Sequence, residues 1–177
     1  MAVWVFTHSD GDGVCAGALA LAANPDARIF FTHPYGLLGD LGAVRSGDRV
    51  IICDVALPED VLPAILERFS AISGDGELIY IDHHPLPENL RAEDIPGEVI
   101  HSVGSSASEL AYMVFGGVMG RVAIYGAIAD YLDDIPVIGR LLCAGIREPY
   151  TLRRVCSFRG LRGVRGSMIL SVGLLCT

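Results

Sequence analysis

Three apolar runs in this chain each end on carboxylates or imidazoles, with room for helices between them. Val3-Trp4-Val5-Phe6 leads into His8-Ser9-Asp10-Gly11-Asp12-Gly13. Ile51-Ile52-Cys53 ends on Asp54, and Leu78-Ile79-Tyr80-Ile81 runs into Asp82-His83-His84. Short apolar runs separated by helical stretches predict strands of a parallel sheet, buried on both faces and joined by crossover helices. In such sheets ligands bind beyond the carboxyl ends of the strands. Three strands therefore aim acids and imidazoles at one edge. Such side chains repel one another and lose solvation if crowded near the interior, and a bound cation offsets that cost.

The remaining pattern agrees with a sheet of this kind. Residues 2–7, 28–32, 49–54, 77–81 and 99–102 are predicted as strands. Residues 14–23 read as an Ala-rich helix. Residues 58–72 read as another, with Pro58 at its start and Val61, Leu62, Ile65, Leu66 and Phe69 at helical spacing. Residues 105–118 and 122–132 are predicted as two further helices. Pro34 to Gly47 is a Gly-rich connection, and Gly74-Asp75-Gly76 reads as a turn. The expected class is α/β, a mainly parallel sheet with helices on both faces. At 177 residues, 51% of them apolar, the chain can build one proper core but not two ordinary domains.

Charge and cysteine usage narrow the function. Residues 1–139 carry 20 acids and 6 arginines, a balance of −14; residues 140–177 carry 7 arginines and Glu148 alone, a balance of +6. Lysine is absent from the sequence. An acidic body of this kind is a poor generic binder of nucleic acid, which relies on cationic surface. Five cysteines with no Cys-x-x-Cys pair argue against a disulfide framework and a zinc knuckle, and point to the reducing cytoplasm. No apolar run approaches the roughly 18 residues that cross a bilayer, and no basic region precedes the first apolar stretch as in a secretory signal. Ser167–Cys176 is apolar but too short to span; it is expected to pack on the domain or on a second copy as a homodimer contact.

The polar knots form an ordered set. His8-x-Asp10-x-Asp12-Gly13, Asp54 at the end of an apolar strand, Asp82-His83-His84, and Gly126-Ala127-Ile128-Ala129-Asp130 follow one another over residues 1–138. Taken singly, Asp54 and Asp130 read as helix caps, and Asp82-His83-His84 before Pro85 as a strand-end turn. A calcium loop starting at His8 would need glutamate at its twelfth position, which is Leu19. In order, the four segments resemble the motifs of the DHH phosphoesterases, with the compact first motif of the RecJ-like and archaeal branch.

That resemblance implies two manganese ions, with magnesium possible, sharing a bridging aspartate. One would be held by His8, Asp10 and Asp54, the other by Asp12, Asp54, His83 and Asp130. Asp82 would orient His83 or approach a metal itself, and His84 would face the phosphate; Asp82 and His84 are the implied catalytic pair. Oxygen and nitrogen donors suit manganese or magnesium better than a thiolate-seeking metal. Gly104-Ser105-Ser106-Ala107-Ser108-Glu109 reads as a helix start with a serine cap and a glutamate three positions after Ser106. Ser105 and Ser106 could there contact a substrate phosphate. His33 and His101 read as structural or exposed residues close to the same edge, and Asp133 and Asp134 as the polar end of a helix.

The expectation is a DHH-type domain over residues 1–138 and an arginine-rich, apolar tail over 139–177, with no second substrate domain. It would hydrolyse a phosphodiester in a single-stranded oligonucleotide or small nucleotide. The alternative is a non-catalytic metal-binding module that docks to a nucleic-acid-processing partner.

Overall fold

The computed structural model of the chain describes residues 1–116 and 120–130. The strands are β1 (Val3–His8), β2 (Arg28–Thr32), β3 (Arg49–Cys53), β4 (Glu77–Asp82) and β5 (Glu98–His101). They form one sheet in the order β2-β1-β3-β4-β5, every neighbouring pair parallel. The strand order reverses between β1 and β3, the place where such sheets open a crevice at their carboxyl edge. The expected α/β class matches this architecture, with the sheet wholly parallel.

Alternation along the strands assigns side chains to the two faces. Trp4 and Phe6, Val50 and Ile52, and Leu78 and Tyr80 pack with Ile65, Phe69 and Ile72 on one face. Those last three belong to α3 (Leu62–Asp75). Val5, Ile51, Cys53, Ile79 and Ile81 cover the other face with Ala16, Leu19 and Ala20 from α1 (Gly11–Ala23). Leu110 and Ala111 from α4 (Ala107–Phe115), and Ala123 from α5 (Gly120–Ala129), complete that layer. Truncating Ile52, which has no exposed surface, to alanine would cost about 2–5 kcal/mol.

Several boundaries differ from the sequence reading, each for a local reason. Helix α1 starts at Gly11, three residues early, because Asp10 caps it: its Oδ1 accepts the Gly13 amide at 2.9 Å. Asp12 and Gly13 therefore stand on the helix and not in a loop. Pro58 precedes a single 3₁₀ turn, and Pro63 is the proline in the first turn of α3, which runs on through Gly74 to Asp75. The Gly-rich connection contains α2 (Leu37–Asp40) and a 3₁₀ turn, tied to α3 by Arg68, which donates to the Leu41 and Val44 carbonyls at 2.8 Å each. At the opposite end of the sheet, Asp48 accepts from the Ala2 amide, Trp4 Nε1 and the Arg45 amide at 2.7, 3.0 and 3.1 Å.

Among the described residues no helix is long and apolar enough to cross a membrane. The tail over 139–177, its arginines, its apolar stretch and the self-association expected of it lie outside the described residues, as do Asp133 and Asp134.

Candidate metal centre

The ends of β1, β3 and β4 and the last turn of α5 converge at the crevice. His8 closes β1 and its Nδ1 lies 2.8 Å from Asp10 Oδ2. Asp54 follows β3 with φ of +60°, a left-handed backbone that is uncommon for any residue but glycine and that clusters at functional sites. Its amide is held by the Ile81 carbonyl at 2.9 Å. The carboxylate is 1% exposed, and neither of its oxygens is met by a well-aligned hydrogen-bond donor among the described residues. His83 Nε2 stands 3.3 Å from Asp54 Oδ1, 3.5 Å from Asp130 Oδ2 and 4.0 Å from Asp12 Oδ2.

Three overlapping groups have donor atoms close enough to hold a cation: His8, Asp10 and Asp54; Asp12, His83 and Asp130; and Asp54, His83 and His84. The first has the same members as one ligand set implied by the resemblance; the second has those of the other except Asp54, which lies 3.3 Å from its His83. Electrostatics favour a cation as well. Burial, together with Asp12 and Asp10 nearby, pushes Asp54 up to about 7 despite its His83 contact. Burial likewise raises Asp12. Burial works against a charged His83, but Asp54, Asp130 and Asp12 outweigh it and push the imidazole up to about 9. Asp10 differs: burial opposes its charge, yet the Gly13 amide and His8 hold it below its ordinary value. A bare cluster of this kind gathers protons, and a divalent ion would replace them. The donors are all oxygen or nitrogen, and the orphaned Asp54 oxygens fit a shared ligand between two ions.

Residues 2–146 match the model of the DHH family, N-terminal domain. The chain belongs to the DHH family. The DHH domain resembles, in fold, RecJ from Thermus thermophilus in complex with Mn2+, at a TM-score of 0.54 and 18% identity over 81% of this chain and 24% of that one. It also resembles an exonuclease RecJ bound to manganese, at 0.51 and 20% over 73% and 38%. An uncharacterized protein from Helicobacter pylori aligns at 0.57 and 10% over 99% and 61%. This chain thus spans 24–61% of the length of those three structures. No curated protein matches it.

Two features of the DHH domain depart from the reading of its sequence. Asp82 closes β4 and makes no hydrogen bond to His83 among the described residues. Its Oδ1 instead lies 2.9 Å from His84 Nδ1, and its Oδ2 2.9 Å from the Tyr80 hydroxyl. Asp82 therefore orients His84, and it belongs to none of the three groups. The hydrogen bond to Asp82 is also the main reason the His84 imidazole is raised.

The start of α4 is the second departure. Ser106 is fully buried, its Oγ accepting the Glu109 amide at 3.1 Å and lying 3.0 Å from Ser108 Oγ. It is a cap and not a phosphate contact. The amides of Ala107 and Ser108 donate to Asp12 at 2.6 and 3.0 Å, so this domain's own carboxylate takes the anion position. Ser105 is half-buried, its amide donating to the Ser102 carbonyl.

His101 Nε2 lies 2.7 Å from the His84 carbonyl and fixes the loop from β5, whereas His33 is exposed. Tyr80 is not legible as a site residue from sequence. The available signal is a phenol in a buried aliphatic run, since a buried hydroxyl needs a partner.

Proposed function

We propose that this DHH domain cleaves phosphodiester bonds with two divalent cations, manganese in the first instance. The observation that carries this reading is the buried Asp54 carboxylate, which groups with His8 and Asp10 on one side and lies 3.3 Å from His83, a member of the Asp12–Asp130 group, on the other. His8, Asp10 and Asp54 would hold one ion; Asp12, Asp54, His83 and Asp130 would hold the other. A bound pair supplies Lewis acidity and neutralises charge during in-line displacement at phosphorus. Asp12, fixed by two helix amides, and Asp54, fixed by its strand-end turn, need little rearrangement to bind. His84 has Nδ1 engaged by Asp82, which leaves Nε2 for a phosphate oxygen or the leaving group.

Manganese is supported by the all-oxygen and nitrogen donor set and by its presence in two RecJ structures of the same fold. A single-stranded oligonucleotide or small nucleotide is the substrate class that fits the compact first motif and the likeness to an exonuclease. Free thiols at Cys15 and Cys53 accord with a cytoplasmic setting. The acidic balance of residues 1–139, poorly suited to gripping a phosphate backbone, supports a second reading, a metal-binding module whose partner grips the substrate.

Turnover of bis-p-nitrophenyl phosphate with manganese tests the proposal. Wild type should release p-nitrophenol, Asp54→Ala should bind manganese weakly and release none, and Asp82→Ala should bind manganese but turn over slowly. Undiminished turnover in both variants would remove the mechanism. Tight manganese binding without turnover in wild type would favour the module.

A further inference from the structure

The Tyr80 hydroxyl sits between two halves of the centre, the turn after Asp54 and the Asp82–His84 pair. Its ring is wholly buried, tilted against Phe69 with centroids 5.9 Å apart. Tyr80 and Asp82 lie two residues apart on one strand and share a face, so the phenol reaches along β4 to its carboxyl end. There the oxygen is 2.9 Å from Asp82 Oδ2 and 2.8 Å from the Val55 carbonyl. Val55 directly follows Asp54, whose left-handed backbone must be held by its surroundings. Asp82 in turn holds His84 Nδ1 at 2.9 Å, and His101 holds the His84 carbonyl.

We propose that Tyr80 is a positioning residue: its hydroxyl ties the turn after Asp54 to the Asp82–His84 pair and so sets the two halves of the centre against each other. The proposal rests on the reading that His84 faces the scissile phosphate. The ring fills the core, but a phenylalanine would fill it as well. The hydroxyl is what the core does not require, since burying it is costly unless it is hydrogen-bonded. Without it, the Asp82 carboxylate keeps only the His84 contact among its side-chain partners in the described residues. The His84 ring then samples orientations that do not favour the reaction.

The test compares Tyr80→Phe, which removes only the hydroxyl, with Phe69→Leu, which loosens the same packing and leaves the hydroxyl in place. Turnover of bis-p-nitrophenyl phosphate is measured at saturating manganese on the full chain. Tyr80→Phe should lower kcat by about tenfold or more with KM changed less than about twofold, the signature of lost transition-state stabilisation. Phe69→Leu should lower the Tm and keep kcat within about twofold, because the Tyr80 hydroxyl retains both of its partners. A kcat unchanged in Tyr80→Phe, or an equal loss in both variants, overturns the proposal. Side-chain 15N resonances of the histidines in manganese-free protein give a readout independent of turnover. Should wild type show no turnover, the functional reading fails alone, and these resonances decide. A shift of His84 with His33 unmoved in Tyr80→Phe supports the tie, and an unmoved His84 overturns it.

Discussion

The carboxylate of Asp12, on the first turn of α1, lies at the start of α4, where its Oδ1 accepts the Ser108 amide at 3.0 Å. A contact between residues 96 apart thus fixes a candidate ligand before any ion arrives. Gly126 is packed against this pair. A Cβ there would stand 2.7 Å from Asp12 Oδ1 and would overlap the Ser108 side chain. Gly126→Ala is expected to cost about 1–3 kcal/mol in urea unfolding and to weaken manganese binding, because Asp12 must move to admit the methyl. Unchanged stability and affinity would mean that α5 shifts freely away from α4.

Asp54 should destabilise the metal-free fold and, on the proposed function, be needed in the loaded one. Among the described residues its buried oxygens have His83, at 3.3 Å, as their nearest cationic partner, and burial already favours the protonated form. Asp54→Asn keeps the shape, and asparagine tolerates the left-handed backbone at φ +60°. The metal-free variant should melt no lower than wild type, while the rise in Tm that manganese gives wild type should disappear. Calorimetric scans with and without manganese measure both.

The centre should also carry its own pH signature. His83, raised to about 9, contributes stability that is complete below its ordinary value near 6.5 and lost as pH climbs from there towards 9. Asp54, raised to about 7, adds a penalty that grows as pH rises from about 4 to 7. Both act in one direction, so the contribution of the metal-free centre to stability falls across that whole range. Manganese competes with the same protons, and its affinity should rise by up to about tenfold per pH unit for each proton displaced. Denaturant titrations at stepped pH check the first claim against Asp54→Asn, whose slope should be shallower. Manganese titrations over the same steps check the second.

Asp48 should govern the acid limb instead. Hydrogen bonds from the Ala2 amide, the Trp4 indole and the Arg45 amide hold its carboxyl down to about 2. A lowered group contributes stability present above its unfolded value near 3.8 and lost as pH falls from there towards 2. Asp48→Asn should flatten acid unfolding in that window and leave manganese binding intact, since Asp48 lies at the opposite end of the sheet.

Much of this protein can be read from residue order, for reasons of period and punctuation. The apolar runs at Val3–Phe6, Ile51–Cys53 and Leu78–Ile81 suit strands buried on both faces, and a parallel sheet must deliver their carboxyl ends to one edge. That is enough to bring His8, Asp10, Asp12, Asp54 and His83 to one edge, because strand ends are local and the sheet's direction is shared; Asp130, after helix α5, joins them only through the resemblance to the DHH motifs. Helix α4 is legible from its serine cap for the same reason. What residue order does not supply is which side chain answers which. The assembled loop after β4 pairs Asp82 with His84 and not with His83. The packing of α4 against α1 puts Asp12 on amides that would otherwise be open to a phosphate. For Tyr80 the sequence signals only a phenol in need of a partner; that the partner is the Val55 carbonyl, 25 residues away on the neighbouring strand's exit, is beyond it. Hydrogen bonds of that kind are directional and short-ranged, so only the assembled backbone decides them.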